Sequence, residues 1–295
     1  AQDKVYADAV FNESAVDLSN NAIDSNLTTS ATIRANSGVA LGIGAYDGYL
    51  ELLYPSTLPA NTTSYLKVES EDDLLSSLIG GSLGDLLSNV VGTVLIGNQE
   101  FSVTVLDNSN IVLHTSSSAA DAFGSDEARV TIDKDGDYFL ALTPSGGYDR
   151  VRLTNSVGSL LGLGAERDLE VYGVFYVNED LSCGAPSYTS FNGSGISLDL
   201  LELGNAGVTN PEYAIDRDRN TFSELGLGAV GVASQIEQTI YFDTTEDTGD
   251  TYYIEIGIDP SLLQLDIANS IEIVGQNGTD APVFTDNLSN VLDLD

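Results

Sequence analysis

The chain has 295 residues, 42% of them hydrophobic, and sets 45 acidic residues against 10 basic ones for a net charge of −35. That length and apolar content provide for one to three domains with large cores and exclude a disordered acidic tail. The charge repels phosphate backbones and anionic lipid heads, so it excludes a nucleic-acid partner; what is left is self-repelling solubility or loading with hard cations, chiefly calcium.

The chain opens on Ala1-Gln2 and contains no Met, the start expected after removal of a secretory signal, so an exported protein is predicted. Residues 4–11 alternate as an extended run. Alternating apolar and polar runs follow at 49–54, 64–69, 101–106, 128–132, 138–142 and 168–176, each bounded by Gly, Asn, Asp or Ser, and each predicts a strand with one buried face. Asp135-Gly136 between two of them predicts a hairpin turn. Residues 74–97 are apolar apart from Asp85, with serines, glycines and Asn89 scattered through them. Leu75, Leu78, Ile79, Leu83, Leu86, Leu87 and Val90 fall at helical spacing, but Asp85 and the glycines argue against a lipid-spanning helix. A short amphipathic helix followed by a strand at 91–96 is predicted, with no membrane insertion.

The chain also repeats itself. Ala22-Ile23-Asp24-Ser25-Asn26-Leu27-Thr28-Thr29 recurs as Ala214-Ile215-Asp216-Arg217-Asp218-Arg219-Asn220-Thr221. Alternating runs follow both copies in the same order, 49–54 and 64–69 in the first, 236–242 and 251–256 in the second. The predicted fold is all-β: tandem jelly-roll-like β-sandwiches, the second apparently incomplete. The first module spans 1–177, a connector spans 178–192, and the second, partial module spans 193–295. The counterpart of residues 131–177 is missing from the second copy. Either the polypeptide continues beyond Asp295 or another source of strands completes the second sandwich, and residues 4–11 are a candidate donor.

Catalytic chemistry finds little support. His114 is the only histidine and Cys183 the only cysteine, so there is no intrachain disulfide framework, and Cys183 is read as a packed residue rather than a nucleophile. Asp133-Lys134-Asp135-Gly136-Asp137 begins like a calcium loop, but its twelfth position is Pro144, not a bidentate acid, so a hairpin turn is expected. Arg150, in Tyr148-Asp149-Arg150-Val151, is expected to pair with a carboxylate. No enzymatic activity is predicted.

The words around Asp24 and Asp216 resemble the Ala-x-Asp-Gly-Asp-x-x-Thr-aromatic segment of discoidin-like carbohydrate-binding jelly rolls, with Arg217 in place of the family's Gly and Phe222 or Ser30 in place of its Trp. The resemblance implies a structural Ca2+ held by Asp216 and Thr221 with Asp218 nearby, and by Asp24 and Thr29 in the first copy. The alternative at the same residues is an Asx-type turn whose carboxylate caps its own backbone. The repeated words, Thr-Phe-Ser-Glu-Leu at 221–225, Gly-Asp-Thr-Tyr-Tyr-Ile-Glu-Ile-Gly at 249–257 and Tyr-Asp-Arg-Val at 148–151 resemble the repeat modules of giant secreted Bacteroidetes adhesins, including the gliding-motility adhesin exported by type IX secretion. That resemblance implies an extracellular cell-surface segment for attachment or gliding, partnered by surface polysaccharide or another cell-surface component and by further modules or neighbouring subunits. Two other readings stand beside it: a calcium-supported carbohydrate-binding module, and a pilus or surface-layer subunit assembled by strand exchange.

Overall fold

The computed structural model describes residues 4–39, 43–70, 74–79, 99–158, 165–178, 185–194, 206–227, 235–242, 251–257, 270–278 and 281–288. The expected strand at 91–96, Asp85, Cys183 and the helical positions beyond Ile79 lie outside them; a helix, α1, is present at Leu74–Leu78. Among the described residues no helix is long and apolar enough to cross a membrane. The chain divides into two compact units, Ala1–Asp243 and Thr244–Asp295.

The first unit is an all-β sandwich. Its strands are β1 (Lys4–Tyr6), β2 (Ala9–Ser14), β3 (Val16–Asp17), β4 (Ala31–Asn36), β5 (Gly48–Leu58), β6 (Ser64–Ser70), β7 (Gln99–Leu106), β8 (Val112–Ser117), β9 (Ala128–Asp133), β10 (Tyr138–Leu142), β11 (Tyr148–Val157), β12 (Glu166–Val177), β13 (Pro186–Ser194), β14 (Ala206–Thr209), β15 (Glu224–Leu227) and β16 (Gln235–Phe242). One sheet runs β2-β5-β11-β7-β8; the larger runs β16-β13-β9-β10-β6-β12-β4-β3, with β1 on the end of β12. The two inner faces meet in one core. Leu50, Leu52, Phe101, Val103, Val105, Val151 and Leu153 come from the five-stranded sheet, and Ile33, Leu66, Val68, Val130, Leu140, Leu169 and Val171 from the larger one. Within each strand these residues alternate with ones on the opposite face, which on β6 and β10 of the larger sheet include Tyr65, Phe139 and Ala141 of a second apolar cluster. The run 4–11 pairs within this sandwich, as β1 on β12 and β2 on β5.

At Gly48 the chain enters β5 hard against β4. A Cβ there would lie 2.2 Å from the Arg34 carbonyl oxygen, so only glycine fits. Asp133–Asp137 is the hairpin turn joining β9 to β10: Asp133 Oδ1 accepts the N–H groups of Asp135 and Asp137, and Gly136 takes φ +86.

The repeat is reproduced in hydrogen-bond register. β3 pairs β4 through Val16↔Ile33 and Asp17↔Thr32; β14 pairs β15 through Val208↔Leu225 and Thr209↔Glu224. Each residue of the second set lies 192 positions after its counterpart, Val208 after Val16 and Leu225 after Ile33. As β2 pairs β5 in the first copy, β13 pairs β16 in the second.

Two expectations differ from the structure. Residues 178–192, read as a connector, contain most of β13, which pairs β9 through Tyr188↔Asp133 and Thr189↔Ile132. Its Pro186 stands at the first position, where a missing N–H is tolerated, and the edge of β9 gains a partner. Residues 251–256, expected as a strand, belong to none. In the first copy the matching β6 is held between β10 and β12.

The second unit contributes a short hairpin, β17 (Glu272–Gly275) and β18 (Phe284–Asn287), in the register Glu272↔Asn287 to Gly275↔Phe284.

Candidate functional site

The two repeated words fold into the same turn. A 3-10 turn, Ser19–Ile23 or Pro211–Ala214, is entered by a left-handed residue, Leu18 (φ 54) or Asn210 (φ 49). The following acid then folds back on the chain. Asp24 accepts the Asn26 N–H on Oδ1 at 2.8 Å and the Thr29 hydroxyl on Oδ2 at 2.7 Å. Asp216 accepts the Asp218 N–H at 2.8 Å and the Thr221 hydroxyl at 2.6 Å. A second link completes each lock: Asn26 accepts the Thr28 N–H, and Asp218 accepts the Asn220 N–H at 3.0 Å. These bonds from the backbone and side chain of Asn220 hold the Asp218 carboxyl below the usual range.

The structure thus brings Asp24 to Thr29, and Asp216 to Thr221 and Asp218, as the sequence words require. The geometry is that of the Asx turn. Both oxygens of each Asp accept hydrogens from the chain itself. A calcium shell takes six to eight oxygens, with each Thr turning its lone pairs, not its proton, toward the ion. No group of three or more acidic, His or Cys side chains placed to hold a metal occurs among the described residues.

A second constellation lies on the outer face of the five-stranded sheet. Glu51 on β5 is wholly buried, although it points away from the core between Leu50 and Leu52. β11 sets Arg150 and Arg152 beside it, one strand over. Arg150 Nη1 donates to Glu51 Oε1 at 3.0 Å and to Asn110 Oδ1 at 2.8 Å, and its Nη2 donates to the Asp107 carbonyl. Arg152 donates to Glu51 Oε2 through Nε at 2.8 Å and through Nη2. Asp149 lies 3.5 Å from Arg150 Nε, so two carboxylates balance two guanidiniums. Aromatic rings close the cluster on both sides: Phe11 stacks on Arg150 at 4.4 Å and Tyr49 on Arg152 at 5.0 Å.

This cluster combines a fixed interior with an open rim. Glu51 and Arg150 are buried, whereas Phe11 is 52% exposed and the Arg152 side chain 36% exposed. Nε and Nη2 of Arg152 are clamped by Glu51, which leaves its Nη1 donors outside the clamp. The expectation that Arg150 pairs with a carboxylate holds. Its partner lies 99 residues away, so no local spacing points to it; the available signal is a lone Glu between inward leucines in a strand.

No protein-family model matches the chain, and no curated protein matches it. Among solved structures the chain is similar to a Streptococcus pneumoniae fucose-binding module, SpX-3, at 12% identity over 60% of this chain and 93% of that one, with a TM-score of 0.29. It is also similar to the lectin domain of lectinolysin complexed with Lewis b antigen (8% identity, 61% and 94% covered, TM-score 0.26). A third likeness is to CpGH89CBM32-4 produced by Clostridium perfringens (10% identity, 60% and 95% covered, TM-score 0.27). TM-scores this low do not establish a shared topology.

Proposed function

We propose that this chain is a non-catalytic carbohydrate-binding module of an extracellular surface protein, and that it binds through the outer face of the five-stranded sheet. The observation that carries this reading is the exposed Phe11 ring seated on a guanidinium that buried Glu51 already holds in place. A sugar presents an apolar C–H face and paired hydroxyls. An aromatic ring suits the first, and the Nη1 donors of Arg152, oriented by the Glu51 clamp on its other nitrogens, suit the second. Because the donors are fixed before the ligand arrives, little side-chain entropy is lost on binding. The balanced charge of the cluster and the net −35 of the chain favour a neutral saccharide over an acidic one.

The test is titration calorimetry against a panel of neutral and acidic glycans, with Phe11→Ala and Arg152→Ala alongside the parent. Each substitution should weaken binding at least about tenfold, roughly 1.4 kcal/mol, without lowering the melting temperature by more than a few degrees. Failure of every glycan to bind, or binding indifferent to both substitutions, would refute the reading.

The register-matched repeat favours a second reading that is compatible with the first. Turns and ladders used twice at a fixed interval suit a segment of a tandem surface adhesin or filament, in which saccharide contact serves attachment.

A further inference from the structure

Four side chains on the outer face of the five-stranded sheet are hydrogen-bonded in series. Asn110 Oδ1 accepts from Arg150, Arg150 donates to Glu51, and Glu51 accepts from Arg152. The direction of these bonds decides what the two ends can offer. A guanidinium only donates, so Asn110 must turn its oxygen toward Arg150, which leaves its Nδ2 group as the free half of the amide. Arg152 uses Nε and Nη2 on Glu51 and keeps Nη1. Glu51 is wholly buried, so its oxygens are beyond the reach of a ligand. Each end of the series therefore presents N–H donors, and the acceptors lie inside it.

The Asn110 end is fixed before any ligand arrives. Asp107 Oδ1 accepts the Ser109 and Ile111 N–H groups at 2.8 and 2.7 Å, and the Asp107 carbonyl accepts the Asn110 N–H at 3.1 Å. Asn110 itself takes φ 64, a left-handed conformation that asparagine tolerates. Apolar surface flanks it. The β2–β5 register slips between Val10↔Leu52 and Asn12↔Glu51, so Phe11 is the extra residue of a β-bulge, and its ring lies on Arg150 at 4.4 Å. Ile111, the next residue after Asn110, is 58% exposed.

An amide donor set among apolar side chains selects a particular ligand group. It suits an oxygen that carries no proton and is joined to a methyl group. A hydroxyl brings a proton to a place that offers donors. A carboxylate brings a charge toward Asp149 and a chain of net charge −35. An acetamido substituent has the matching parts, a carbonyl oxygen and a methyl. We propose that the saccharide bound on this face is N-acetylated, its acetamido carbonyl accepting from Asn110 Nδ2 and its methyl packing against Phe11 and Ile111, while Arg152 Nη1 holds a second oxygen of the sugar. This inference rests on the saccharide-binding reading and assigns Asn110 as the residue that sets specificity.

Titration calorimetry on the whole chain tests it with two matched pairs, N-acetylglucosamine against glucose and N-acetylgalactosamine against galactose. The expected result is that the acetylated member of a bound pair binds at least about tenfold more tightly. Asn110→Asp keeps an oxygen for Arg150 and tolerates the same backbone conformation, but has no N–H to donate. Asn110→Gly suits the conformation equally and removes the side chain. Both variants should lose the preference, with melting temperatures within a few degrees of the parent's. Equal affinity for the two members of a pair, in binding that still depends on Phe11 and Arg152, overturns the proposal and leaves the saccharide-binding reading standing. A preference that survives both Asn110 substitutions also overturns it, as does tighter binding of glucuronic acid than of N-acetylglucosamine. Failure of all these sugars to bind overturns the proposal together with the reading on which it rests.

Discussion

Glu51 shows how a single charge can be held in place by its neighbours. It accepts from two guanidiniums and has no exposed surface, so neutralising it leaves Arg150 buried without its main counter-charge. Removing one partner of a buried pair costs about 3–5 kcal/mol. Glu51→Gln should therefore lower the free energy of urea unfolding by an amount in that range. Arg152 is more than a third exposed and its pairing is screened, so Arg152→Ala should cost no more than about 1 kcal/mol while weakening saccharide binding. Equal losses of stability from the two substitutions would contradict this division of roles. A second residue-scale device is the buried hydroxyl chain of Tyr54, Ser64 and Tyr148, with contacts of 2.7 and 2.6 Å that end on the Thr62 carbonyl. Burial pushes both phenols well above their ordinary value of 10.0. The folded state therefore keeps protons that the unfolded state gives up, so stability is full below pH 10.0 and falls as pH rises beyond it. Tyr54→Phe should reduce the slope of that alkaline loss in a series of unfolding curves. A slope identical to the parent's would show that Tyr54 does not contribute.

At the scale of elements, the repeated turn supplies its own control experiment. Both copies require a left-handed residue before the 3-10 turn, and the second copy uses Asn210 where the first carries Leu18. Leucine is poorly suited to that conformation and asparagine tolerates it. Both copies also require a left-handed residue after the acid, Ser25 (φ 62) and Arg217 (φ 66), where the discoidin-like segment has glycine. Leu18→Asn and Arg217→Gly should each raise the melting temperature, by a contribution of up to about 1 kcal/mol. A lowered melting temperature would mean that the side chain contributes more than its backbone strain costs. These turns were legible in the sequence because their chemistry is local: an Asp, the residue two positions on and a Thr five positions on are enough to close them. The strands of the first sandwich were legible for the same reason, since alternation is read over a few residues. The partner of each strand is set by contacts far apart in the chain. That is why β13 reads as a connector by composition, and why 251–256, which alternates like a strand, belongs to none.

The first unit is a sandwich whose larger sheet is lengthened by the beginning of the second copy. The order β16-β13-β9 carries that continuation, and an aromatic cluster reinforces it. Tyr188 of β13 stacks on Tyr65 at 4.2 Å and meets Phe139 edge-on at 5.3 Å, both from strands of the first copy. The two copies are therefore not independent beads: the ring that completes this cluster comes from the stretch whose composition reads as a linker. Neither the pairing nor the cluster is legible from local pattern, because Tyr188 and Tyr65 are 123 positions apart. Truncating a large buried aromatic side chain costs about 3–5 kcal/mol. Tyr188→Ala should thus destabilise the first sandwich, although the residue lies beyond its last strand, β12. Hydrogen exchange should report the loss, with β6 and β10 amides exchanging faster in the variant than in the parent. A chain cut after residue 178 should go further, exposing the β9 edge and the Tyr65 and Phe139 rings, and should aggregate as concentration rises. If that fragment instead remained monodisperse with the parent's melting temperature, and Tyr188→Ala left β6 and β10 protected, the first sandwich would be complete without β13 and the sheet extension would be incidental to its stability.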